Sequence, residues 1–253
     1  MVLTGSVYSK SLDIDTWISV AFPDRKGSDK PHKVIYMLHG SSGNSTNWVQ
    51  NTLLPLYSQD YNVVFIMPEV GNTWYRNIKD RGNYFTYIVD ELPKIIKNIF
   101  NISTKREDVA IMGNSMGAYG AMKCALSRPD QYWLCGSFST ACVTVREYLD
   151  ELREQKDKIE NPNMRSVYGP NLICTDDDEL FKLAKKASEQ PINPQIYMTI
   201  GKNDFLYEPN QYFSEKMKTL PLDFSFETWE GSHDWNFWNQ SLKSVLDKYY
   251  KQK

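Results

Sequence analysis

The sequence predicts an α/β protein: a mostly parallel sheet of about eight strands, helices on both faces, and a small helical cap. Two observations carry that prediction. KVIYMLHG (33–40), NVVFIMP (62–68) and DVAIMG (108–113) are short continuous apolar runs, as expected of strands buried on both faces. Helix-like segments at 45–58 and 84–100 precede the second and third of them, and strand–helix alternation is the mark of a parallel sheet covered on both sides.

From the amino terminus, residues 6–22 alternate apolar positions (Leu12, Ile14, Trp17, Ile18, Val20, Phe22) in the manner of an antiparallel hairpin at a sheet edge. RKGSDKPH (25–32) is turn-forming. After the three buried runs, AYGAMKCALSRP continues as a helix until Pro129 stops it. Further strands follow at LCGSFST (134–140), QIYMTIG (195–201) and DFSFETW (223–229), with a last helix near 235–250. One stretch breaks the alternation. Residues 143–192 hold no strand-like run, while VREYLDELREQKDKIE and CTDDDELFKLAKKASEQ both read as helices, the second capped by Thr175. This segment is expected to be a cap inserted between two strands of a single domain spanning 1–253. Asp176, Asp177 and Asp178 resemble a cation site, but a helix start, where negative charge is favoured, explains their position better, and no metal is assigned.

A chain of 253 residues, 41% hydrophobic, can bury a substantial core. Lysine and arginine (29) nearly balance aspartate and glutamate (31), so no basic surface is predicted that would follow a nucleic-acid backbone. No apolar run approaches the ~20 residues of a membrane span. No cationic, apolar leader is evident, and the four cysteines form no C-x-x-C pair, so the expected compartment is the cytoplasm and the thiols are read as reduced. Oligomeric state is left open, a homo-oligomer included.

Gly113-Asn114-Ser115-Met116-Gly117 fits G-x-S-x-G, in which small residues flank a serine on a strained strand-to-helix turn. The strand before it and the helix after it are the context that the motif requires. Phosphate-cradle alternatives fail, because neither G-x-G-x-x-G nor a P-loop lysine is present. A serine hydroxyl needs a base, and the chain has three histidines. His32 precedes the first buried strand, at the wrong end of the sheet. His39 comes before the serine and is read as shaping its own loop. His233 follows the last strand, where the Ser, Asp/Glu, His order of α/β-hydrolases puts the base. The carboxylate that orients it is expected after a strand between the two, which selects Asp204, with Glu208 four residues on as runner-up. Oxyanion donors are expected from the Met116 amide and from the loop His39-Gly40-Ser41-Ser42-Gly43, the Ser41 amide first with Ser42 beside it. Trp74, Tyr75, Trp235 and Trp238 are candidate pocket aromatics. Of these, Trp235 is the best wall candidate for substrate, and Trp238 is as well read as core.

With these residues placed, YMLHGSSGNSTNW, NTWYRNIKDRGNYFTYIVDELP, IMGNSMGAYGAMKCAL, TIGKNDFLYEPN and GSHDWNFWN give a pattern that resembles the esterase D-like α/β-hydrolases, especially bacterial tributyrin esterases. The resemblance spans nearly the whole chain. It implies a serine carboxylesterase acting on a small-molecule, short-chain acyl ester without a cofactor, with Ser115, Asp204 and His233 as triad and the Ser41 and Met116 amides as oxyanion hole. S-formylglutathione hydrolases and acetyl or feruloyl esterases belong to the same wider group. Two positions depart from its pattern: Ala118 replaces a second glycine, and Asn114 stands where histidine or leucine is common. A hydrolase-fold binding module without activity is the alternative outside enzymology.

Overall fold

The structure is a computed structural model and describes residues 1–25, 29–154 and 161–251. Eight strands form one sheet: β1 (Val2–Ser9), β2 (Ile14–Ala21), β3 (Lys33–Leu38), β4 (Val63–Pro68), β5 (Val109–Asn114), β6 (Leu134–Phe138), β7 (Gln195–Gly201) and β8 (Phe224–Trp229). Their order is β1-β2-β4-β3-β5-β6-β7-β8. The β1–β2 and β2–β4 pairs are antiparallel and all others parallel, so the expected antiparallel start on a parallel sheet is what forms.

The period-2 alternation of strand side chains divides the core into two layers. Val34, Tyr36 and Leu38 of β3 join one apolar layer, and Ile35 and Met37 join the other. Every residue of β4 and β5 is buried, which is why these strands read as unbroken apolar runs. Fully burying each such side chain contributes about 1.5–3 kcal/mol.

The helices differ from expectation where a local residue interrupts them. The segment 45–58 is two helices, α1 (Asn47–Asn51) and α2 (Leu54–Tyr61), because proline occupies the first turn of α2 and the Thr52 hydroxyl turns back onto the Trp48 carbonyl. The segment 84–100 is helical, but it widens into a π-type turn over Tyr87–Glu91 before α3 (Leu92–Ile99). Pro93 has no N–H to donate, and its ring cannot sit against the carbonyl four residues earlier. Helix α4 (Met116–Ser127) follows β5 directly.

Between β6 and β7 come α5 (Val145–Glu154), α6 (Pro162–Tyr168), a 3-10 turn at Asp176–Asp178, and α7 (Leu180–Ser188). The predicted helix over 145–160 is seen to Glu154, and its last six residues, like 26–28 of the predicted turn, lie outside the described residues. Helix α6 was not anticipated, although Asn161 caps it by accepting from the Met164 amide and Pro162 opens it.

The aspartate trio departs from expectation. Thr175 and Asp178 form a capping box on the 3-10 turn, and the chain then extends at Glu179 before α7 begins. Asp178 is buried, accepting from Lys123 Nζ at 2.8 Å and from Arg76 Nε at 2.8 Å and Nη2 at 3.0 Å. Asp178 therefore closes an ion pair with α4, whereas Asp176 and Asp177 face solvent. Helices α8 (Tyr207–Met217) and α9 (Trp235–Tyr249) complete the fold.

Candidate active site

Parallel pairing brings the carboxyl ends of β3, β5, β6, β7 and β8 to one edge. Leu38 pairs with Gly113, Asn114 with Phe138, Phe138 with Thr199 and Gly201 with Trp229. The loops that follow hold Ser41, Ser115, Asp204 and His233, so side chains up to 192 residues apart in sequence are delivered to one place. In open α/β sheets this is the edge at which ligands bind.

Ser115 sits between β5 and α4 with φ 54° and ψ −119°, a left-handed conformation that costs a non-glycine residue about 1–3 kcal/mol. Its backbone is pinned. Ser115 N–H donates to the Phe138 carbonyl at 2.9 Å, and its own carbonyl accepts from the amides of Ala118, Tyr119 and Ala141. The second motif glycine is required by contact, since a Cβ on Gly117 would stand 2.2 Å from the Leu38 carbonyl oxygen. The strain thus turns the hydroxyl outward from an otherwise buried turn.

Ser115 Oγ lies 3.0 Å from His233 Nε2, and His233 Nδ1 lies 2.8 Å from Asp204 Oδ2. Asp204 is 4% exposed, and its other oxygen accepts from the Leu206 amide at 2.9 Å. Burial acts to raise the Asp204 pKa. The hydrogen bonds from His233, the Leu206 amide and the Ser139 hydroxyl outweigh it and hold the carboxyl below its ordinary value. Asp204 is thereby kept as a carboxylate, the form that accepts an Nδ1–H and leaves Nε2 free to take the serine proton. Glu208, the runner-up carboxylate, is exposed on the first turn of α8 and does not join this chain of bonds.

The loop after β3 passes directly beside the serine. A Cβ on Gly40 would lie 3.4 Å from Ser115 Cβ and 3.0 Å from Asn114 Nδ2. The Met116 amide opens α4, where the helix leaves its first N–H groups unpaired and adds positive potential. Among the described residues neither this amide nor that of Ser41 has a protein acceptor. Ser42 differs. Its amide donates to Asn72 Oδ1 at 2.6 Å, and Ser41 Oγ reaches the same oxygen at 3.2 Å. Asn72, which sequence reasoning missed, therefore anchors the loop, and its carbonyl accepts from Asn163 Nδ2 of α6 at 2.8 Å.

The other predicted residues sort by burial. His39 has Nδ1 2.8 Å from the Gly40 carbonyl and Nε2 3.2 Å from the Val70 amide, so its ring braces the loop. His32 bridges to Ile102 at the opposite end of β3. Tyr75 is fully buried and donates to the His39 carbonyl, so it lies beneath the loop instead of lining a pocket. Trp74 is also buried, donating to Asn163 Oδ1. Trp238 is core, with Nε1 donating to Ser139 Oγ and its edge against the His233 ring. Trp235 is half-buried, edge-on to Trp48 and Trp238. Asn114 is buried and its Oδ1 has no partner. A cavity of about 770 Å³ against the second half of α4 touches none of Ser41, Ser115, Asp204 and His233.

The chain is similar to known esterases and serine hydrolases over nearly its whole length. The family model described as "Putative esterase" matches residues 9–249. An acetyl esterase of Caldicellulosiruptor saccharolyticus is 29% identical over 258 residues, covering 97% of each chain. A substrate-bound fluorophosphonate-binding serine hydrolase F of Staphylococcus aureus superposes with a TM-score of 0.87 at 25% identity, over 100% of this chain and 99% of that one. An S-formylglutathione hydrolase from the same organism shares the fold, with a TM-score of 0.85 at 24% identity over 99% of both chains.

Proposed function

Since the chain belongs to the esterase family and is a serine carboxylesterase, we propose that Ser115 is its nucleophile, His233 its general base and acid, and Asp204 the carboxylate that orients the imidazole. The observation that carries this reading is the unbroken relay from Ser115 Oγ through His233 to Asp204, at 3.0 and 2.8 Å. His233 Nε2 takes the Ser115 proton as Oγ bonds to the ester carbonyl carbon. The carbonyl oxygen becomes an oxyanion facing the Met116 and Ser41 amides, each such donor contributing on the order of a hundredfold or more in rate. The carbon–oxygen bond to the alcohol then breaks, and Nε2 returns the proton to the departing oxygen. Water, deprotonated by the same nitrogen, cleaves the acyl-enzyme and restores the serine.

The acyl group is short. The similarity to an acetyl esterase supports this, and we read half-buried Trp235, edge-on to Trp48, as a wall of the substrate pocket. Ser42, whose hydroxyl is exposed and whose amide is committed to Asn72, lies at the mouth of the site and contacts substrate through its side chain. Residues 143–192 act as the cap over this mouth, a reading supported by the α6 side chain Asn163, which donates to the carbonyl of Asn72, the residue that anchors the oxyanion loop. Four free cysteines suit a reducing compartment, the cytoplasm.

The test is labelling by a fluorophosphonate together with turnover of p-nitrophenyl acetate and butyrate. Ser115→Ala should abolish both. His233→Ala should reduce turnover on the order of a thousandfold or more. Full activity in Ser115→Ala would overturn the assignment.

A further inference from the structure

Phe205 immediately follows Asp204 and is 76% exposed, the most exposed large hydrophobic side chain among the described residues. It is not a loose surface residue. The Asp204 amide donates to the Gly201 carbonyl, the Leu206 amide to Asp204 Oδ1 and the Tyr207 amide to the Asp204 carbonyl, so the turn that carries Phe205 is fixed from both sides. Its ring centroid is 4.7 Å from that of the His233 imidazole, tilted by 49°. The imidazole thus contacts one buried ring, Trp238, and one ring open to solvent.

An aromatic left this bare contributes little to the fold, because most of its apolar area never leaves water. A hydrophobic side chain carried on a fixed turn at the mouth of a site is placed to meet a ligand. The reaction decides which part of the ligand. His233 Nε2 must deliver its proton to the departing oxygen, so the alcohol half of the ester leaves past His233. The acyl oxygen points instead toward the amides of Ser41 and Met116. The ring beside His233 therefore neighbours the alcohol.

We propose that Phe205 is the specificity-determining platform for the alcohol half of the ester, favouring alcohols that present a flat apolar face about one ring wide, whether an aryl ring or the C–H face of a sugar. The proposal rests on the catalytic reading of Ser115 and His233.

Phe205→Ala and Phe205→Trp are compared with the parent protein on three acetate esters that share the acyl group: ethyl acetate, benzyl acetate and a mono-acetylated methyl xyloside. Phe205→Ala should lower kcat/KM about tenfold on the flat-faced esters, the scale of one lost aromatic contact with its buried area. It should leave ethyl acetate within about twofold, and Phe205→Trp should restore the loss. Loss on benzyl acetate alone identifies an aryl alcohol, loss on the xyloside alone a sugar, and either supports the platform. Equal loss on all three esters, with a displaced pH profile, would show that the ring only steadies His233 and would overturn the proposal, as would no loss on any. Fluorophosphonate labelling of Ser115 in the parent protein is read alongside. Its absence would sink the catalytic assignment, whereas normal labelling with an unselective Phe205→Ala sinks the platform alone.

Discussion

Asp178→Asn is expected to separate the segment between β6 and β7 energetically from α4. Asp178 is the shared anion of two cations, Lys123 on α4 and Arg76, which also donates to the Val167 carbonyl and lies 4.2 Å over the Tyr168 ring of α6. Burial alone would raise the Asp178 pKa, but Lys123 and Arg76 outweigh it and bring it from 3.8 to about 2. That difference corresponds to about 2 kcal/mol of stability linked to ionisation. The sign follows from the depressed value: the contribution is complete above the unfolded-state pKa near 4 and fades as pH falls toward 2, with about half gone by pH 3. An amide at 178 also strands Lys123, which is 5% exposed, without its counter-charge. The total loss at pH 7 is therefore about 3–5 kcal/mol, the range for a broken buried pair, or on the order of 10 °C in Tm for a chain of this size. Thermal unfolding followed by circular dichroism measures it. The gap between parent and variant should narrow by about 1 kcal/mol between pH 7 and pH 3. A variant melting within a degree of the parent, or a gap indifferent to pH, would refute the reasoning.

Two further outcomes follow from the geometry of the site. Ser115→Gly relieves the left-handed backbone at φ 54° and offsets that relief partly through unfolded-chain entropy. It should raise Tm by about 2–4 °C relative to Ser115→Ala while both lack turnover, a comparison made by differential scanning calorimetry. Asn72→Ala releases the Ser42 amide and the Ser41 hydroxyl together. Steady-state kinetics on p-nitrophenyl acetate should show kcat reduced on the order of ten- to a hundredfold with KM changed much less, since the loss falls on alignment of the proposed oxyanion donor.

The sheet was legible because its central strands are buried on both faces, so continuous apolar runs such as QIYMTIG mark β7 from end to end. The three side chains of the relay could be named from chain order alone, since each follows a strand and parallel strands end at a common edge. Harder to read were features set by one residue against its neighbours: the break at Thr52, the wide turn before Pro93 and the extended Glu179. Illegible altogether were partnerships that exist only after folding. Asp178 meets residues 55 and 102 positions away, and no local pattern distinguishes it from exposed Asp176 and Asp177. Asn72 and Phe205 sit in loops of ordinary composition, and only their distances from Ser42 and His233 single them out.

The contact from Asn163 to Asn72 has a practical meaning for anyone who would retailor this protein. Exchanging the segment between β6 and β7 for that of a relative looks like a modular way to change which esters are accepted. Here that graft would carry off Asn163, the residue that holds the Asn72 backbone, and Asp178, the anion under α4. A transplanted segment that failed to bring both would alter turnover along with selectivity. In this scaffold the two traits are inherited together.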